Sequence, residues 1–138
     1  MAFLLIAITI NFCACKKDSV SSQIVGTWQL SHYHEAEVDL TTNPATVKMI
    51  DSSFALILKF SGDGSAVSYM NALPSLGNAG GYTLSGNDSI SYVFGPGAPP
   101  VKAKYTIQGA TLTLVDQPRY LYDSLHYFTS TQTYVRLK

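Results

Sequence analysis

Two histidines two residues apart, His32 and His34, are the sharpest chemical signal in this chain of 138 residues. On a regular strand, side chains at i and i+2 share a face, so both imidazoles would sit on the side of Trp28 and Leu30. A His-x-His pair offers two nitrogen donors to a metal, but zinc normally takes three or four protein ligands. His126 and Glu35 are candidates for a third ligand, and spacing alone places neither. A bulge after Leu30 would turn both histidines to solvent instead. The expectation is therefore no metal and no cofactor, with His32 and His34 as polar contacts. Glu35, Glu37 and Asp39 alternate on what reads as a solvated strand end, and Gly62-Asp63-Gly64 carries too few carboxylates for a calcium loop. There is no Gly-x-Ser-x-Gly elbow and no glycine-rich phosphate loop opening a helix. The chain is not expected to be an enzyme. Nine tyrosines give apolar bodies with polar tips, suited to a pocket wall but equally to plain strand surfaces. Nine basic and nine acidic side chains cancel, so no basic footprint for nucleic acid exists.

The only thiols are Cys13, near the end of the apolar segment 1–14, and Cys15, directly after it. Twelve of those fourteen residues are apolar and none is charged, too short a run to cross a bilayer core, which needs about 17–25 helical residues. It fits the apolar region of a secretory signal. No Lys or Arg precedes it, so either the amine of Met1 supplies the charge or the start lies upstream. Phe12-Cys13-Ala14-Cys15 resembles a bacterial lipobox, and Lys16-Lys17-Asp18-Ser19 resembles the polar tether behind such a cysteine. That resemblance implies cleavage after residue 14 and acylation of Cys15. It also implies anchoring to the outer membrane of a Gram-negative envelope, on its periplasmic face or at the cell surface. Several acyl chains at about 0.8 kcal/mol per buried methylene would hold the protein there. The alternative is an ordinary cleaved signal with two incidental thiols.

The 124 residues after the leader are enough for one core without disulfides. Their signal is alternation of period two rather than 3.6, rich in Thr, Val, Ile and Tyr. Residues 24–34 alternate through Ile24, Gly26, Trp28 and Leu30. Residues 54–60 set Phe54, Leu56, Leu58 and Phe60 on one face, and residues 101–107 do so with Val101, Ala103, Tyr105 and Ile107. Ser61-Gly62-Asp63-Gly64, Gly86-Asn87-Asp88 and Gln108-Gly109-Ala110 read as tight hairpin turns. Gly95 to Pro100 cannot be strand interior and reads as a rim loop. Residues 38–52 are ambiguous between an irregular strand and a loop with a short helix, and Arg119–Lys138 reads as two strands split near Ser130. About eight antiparallel strands in even succession predict an all-β meander, closed into a barrel or folded as a β-sandwich.

Ile24-Val25-Gly26-Thr27-Trp28 is similar to the Gly-x-Trp opening of lipocalin-like proteins, and Tyr134-Val135-Arg136-Leu137 offers the arginine that family places in its last strand. The resemblance, to small lipocalin-like bacterial lipoproteins, implies a barrel over residues 23–138 behind a lipid-anchored tether, 15–22. It makes Gly26, Trp28 and Arg136 structural, with Trp28 plugging the closed end beneath Arg136. It also implies binding of a small apolar or amphipathic ligand. The expected pocket wall is Leu30, Phe54, Leu56, Leu58, Tyr105 and Ile107, with His32 and His34 as polar contacts. The rival expectation is a structural or interaction lipoprotein whose barrel is filled by its own side chains and whose partner is another envelope protein.

Overall fold

The structure is a computed structural model that describes residues 20–52, 54–70, 77–120 and 125–138. A five-residue helix, α1 (Val20–Ile24), leads into β1 (Gly26–Asp39), β2 (Thr46–Ser52), β3 (Leu56–Phe60) and β4 (Ser65–Met70). The meander continues through β5 (Gly77–Ser85), β6 (Ser89–Phe94), β7 (Val101–Gln108) and β8 (Thr111–Asp116), then β9 (Arg119–Tyr120) and β10 (His126–Arg136). All pairings are antiparallel; β1 pairs with both β2 and β3, sequence neighbours pair from β3 to β8, and β8 pairs with β10. β10 then pairs with β1 from Trp28↔Arg136 to Asp39↔His126 and shuts the sheet. Among the described residues, β1, β3 to β8 and β10 thus form a closed eight-stranded barrel, and the sandwich alternative is excluded. Closure removes the strand edges that a Thr- and Tyr-rich sheet would otherwise expose.

The long strands β1 and β10 outrun the barrel. The edge of β1 opposite β10 pairs first with β3, Gly26↔Phe60 to Gln29↔Ile57, and then with β2, Tyr33↔Ser52 to Asp39↔Thr46. With β9 against Tyr127 and Phe128 of β10, the upper halves of β1 and β10 form a four-stranded ribbon that projects past the barrel's rim. The ambiguous segment 38–52 is therefore the end of β1, a turn and a strand, with no helix. The C-terminal part is also not split near Ser130: β10 runs unbroken through that buried residue.

The hairpins at 61–64, 86–88 and 109–110 gather at one end of the barrel with α1. The loop at 95–100, at the opposite end, is the rim loop expected from its prolines. At the closed end Ile24 and Trp28 are fully buried, and the indole Nε1 donates to the Ile24 carbonyl at 2.8 Å. The Arg136 guanidinium lies 4.2 Å above the Trp28 ring and donates to the carbonyls of Val25 (3.0 Å) and Gln23. Gly26 has φ +147°, and a Cβ there would stand 2.9 Å from an Arg136 nitrogen. Glycine is what lets the arginine reach the backbone of the plug. Above this floor Phe60, Leu58, Ile90, Leu112, Leu114 and Tyr134 fill the barrel from different strands.

Candidate functional site

β1 is not regular. Its pairing with β10 shifts register between Leu30 and His32, a bulge at Ser31 whose Oγ donates to the Thr133 carbonyl at 2.9 Å. Leu30 pairs with Tyr134, which faces the interior, but His32 pairs with Thr133, which does not. One extra residue thus moves every later side chain to the other face. His32 and His34 go to the outside, correcting their expected place in the barrel, and Tyr33, Glu35 and Glu37 take the inward parity. Outside, His34 Nδ1 meets the Asp51 carboxylate of β2 at 2.6 Å, and His32 Nε2 lies 3.8 Å from the same oxygen. The hydrogen bond from His34 holds the Asp51 carboxyl below the usual carboxylate range.

At the open end, the interior keeps a cavity of about 290 Å³. Leu56 and Leu58 (β3), Met70 (β4), Phe94 (β6) and Val101 (β7) give it an apolar wall. Its polar side is built on Asp116, only 5% exposed at the end of β8. That carboxylate accepts from Tyr92 Oη (3.1 Å), Ser130 Oγ (2.7 Å) and Gln132 Nε2 (3.2 Å). Gln132 Oε1 in turn accepts from Tyr134 Oη at 2.6 Å. Three donors on one buried carboxylate satisfy it without a cation in contact, and a connected network of this kind is rigid. Arg119 of β9 and Tyr33 also border the cavity. Tyr33 Oη donates to Glu35 at 2.5 Å, and burial together with that carboxylate pushes the phenol up to about 12. Burial first, and the Asp116 charge second, raise Tyr92 and Tyr134 further still.

Of the expected pocket wall, Leu56 and Leu58 line this cavity and the others do not. Tyr105 is buried in the packed part of the core, where its hydroxyl has no hydrogen-bond partner among the described residues. Ile107 lies at the closed end beside Arg136 and Gln23. Leu30 and Phe54 border a separate cleft with His32, Ser31 and Ser52, and Phe54 packs on Tyr33 with ring centroids 5.3 Å apart. Phe54 misses the interior because it precedes β3, in the break where the chain passes from the ribbon to the barrel. Cys13 and Cys15 lie outside the described residues, as does Tyr122 of the tyrosine set.

Asp116, Gln132 and Ser130 were not singled out by residue type, whereas Tyr92 and Tyr33 belong to the tyrosine set read as suited to a pocket wall. Parity could have found the first three. Asp116 shares the alternation of Leu112 and Leu114, and Ser130 and Gln132 share that of Tyr134, so each polar residue stands on a core face. No protein-family model, no curated protein and no solved structure matches this chain.

Proposed function

We propose that this protein is a lipid-anchored envelope lipoprotein of lipocalin-like type that binds a small amphipathic ligand in the mouth of its barrel, without catalysing a reaction. The observation that carries this is the 290 Å³ cavity with a split lining: leucine, methionine, phenylalanine and valine on one side, the Asp116 network on the other. Its volume lies at the small end of ligand sites, about 300–1,000 Å³, and the few convergent polar groups are what such sites use to orient a guest. The polar side suits a hydrogen-bonding head, and the apolar wall suits a short hydrocarbon or aromatic body.

The proposed anchor gives the mouth a direction. Chain entry is at the closed end, where Gln23 and Val25 are held by Arg136. Only four residues lie between Cys15 and Val20, a reach over five steps of at most about 18 Å. An acylated Cys15 would thus hold the closed end near the bilayer and leave the mouth facing away, so the ligand would arrive from the aqueous side. Among the described residues no helix is long and apolar enough to cross a membrane.

A second reading has its own observation. The projecting ribbon exposes Val47, Met49 and Tyr120, each more than half accessible, while much of the barrel below the cavity is filled. Exposed apolar side chains clustered on a projecting sheet suit a protein partner. Native mass spectrometry of the detergent-solubilised chain, after incubation with an envelope extract of its source cell, separates the two. A reproducible added mass, lost on denaturation and suppressed by Leu56→Trp, is the result expected of the ligand binder. A bare mass throughout would overturn that reading in favour of the partner binder.

A further inference from the structure

The outer face of the ribbon carries a second cluster, on the side of β1 that faces away from the cavity. The bulge at Ser31 sends His32 and His34 outward on β1, and the adjacent strand brings Asp51 directly opposite His34. One donor atom from each of the three lies within 4.8 Å of the others. The two imidazoles are nearly parallel, 16° apart in plane with centroids at 6.2 Å, so they present their nitrogens side by side. From this geometry we infer that His32, His34 and Asp51 form a binding site for a divalent transition metal of the zinc class.

Donors 2.0–2.2 Å from a tetrahedral zinc lie about 3.4 Å from one another. The pairs here bracket that spacing, at 2.6 Å for His34–Asp51 and 3.8 Å for His32–Asp51. Adjusting them needs side-chain rotation alone, because the His32 and Asp51 side chains are 62% and 66% exposed. The backbone beneath is fixed, with His34 laddered to β2 on one side and β10 on the other. Two imidazoles and a carboxylate favour zinc, nickel or copper over magnesium or calcium, which take oxygen ligands. Three protein ligands leave a fourth position, and His32 also borders the 350 Å³ cleft with Ser31, Ser52 and Phe54, which has room for water or a small donor. On binding, the ion takes the lone pair of His34 Nδ1 in place of the contact with Asp51, and the neutral ring carries its one proton on Nε2.

The test is calorimetric titration of Zn²⁺ into the full chain with Cys13 and Cys15 alkylated, so that thiols do not compete. One zinc per chain is expected. His32→Ala and Asp51→Asn should each weaken binding by at least about 100-fold, at or beyond the largest losses that outer-shell changes produce. Both side chains are largely exposed, so an unchanged circular dichroism spectrum is expected and either variant alone reads the site. His126→Ala removes the remaining histidine and should leave affinity as it was. Absence of zinc binding, binding indifferent to His32→Ala and Asp51→Asn, or equal loss in His126→Ala would each overturn the assignment.

Discussion

Arg136 does three things at once: it stacks on Trp28, ties down the carbonyls of Val25 and Gln23, and fills the space where any side chain on Gly26 would stand. The stacking is worth about 0.5–2 kcal/mol, depending on how dry the pair is. The larger quantity is the indole itself. Trp28→Ala should cost about 3–5 kcal/mol, because a fully buried ring at the floor of a closed barrel leaves a hole its neighbours cannot collapse into. Thermal unfolding checks this, and a variant that keeps its melting temperature would remove Trp28 from the structural role. These three residues were legible because their spacing resembles a known opening and closing pattern. Asp116 was not. An acid at the end of a hairpin strand reads as solvated, and only the donors arriving from β6 and β10 make its burial tolerable.

The decisive element is β1. Its lower half belongs to the barrel and its upper half to the ribbon, and the bulge at Ser31 divides them. Deleting Ser31 would remove the bulge without moving any later side chain to the other face, because Leu30↔Tyr134 and His32↔Thr133 then become consecutive pairs. The ribbon's pairing and the outward His32 and His34 are therefore expected to survive the deletion, seen as unchanged amide exchange in β2. Ser31→Ala keeps the residue count and forfeits only the hydroxyl's bond to Thr133, so it should cost no more than about 1.5 kcal/mol. Faster exchange in β2 on deletion would show instead that the bulge itself supports the ribbon. A second constraint sits in β5, where a Cβ on Gly80 would stand 1.7 Å from the Val93 carbonyl oxygen. The strands there approach too closely for any side chain. Neither feature is written in residue type: Leu30-Ser31-His32 alternates as well as any regular strand, and the extra residue shows only against β10.

For the whole molecule, the buried phenols set how it meets alkali. Tyr33 is pushed up to about 12, and Tyr92 and Tyr134 higher, against an ordinary value near 10. The folded state holds these protons more tightly than the unfolded one. Their contribution is therefore whole below about pH 10 and is lost as pH rises through about 12 and beyond. Unfolding in alkali should accordingly release the tyrosinate absorbance of these residues together with the loss of Trp28 burial, in one transition. Smooth titration of every tyrosine near its ordinary value, with Trp28 still buried, would contradict the burial described here.

Alternation of period two, turn glycines and the absence of helical periodicity were enough to determine an all-β meander of about eight strands, since those signals act between near neighbours along the chain. The plug at the closed end was legible for the same kind of reason, as a short motif at each terminus. Closure came only from the resemblance carried by Trp28 and Arg136, because Trp28↔Arg136 joins residues from opposite ends of the chain, and no local pattern distinguishes a sheet that meets itself from two that stack. The candidate cavity and the outer His–Asp cluster belong with closure. Each depends on which face a strand turns inward, and in β1 one bulged residue, visible only in the pairing with β10, decides that for every side chain that follows.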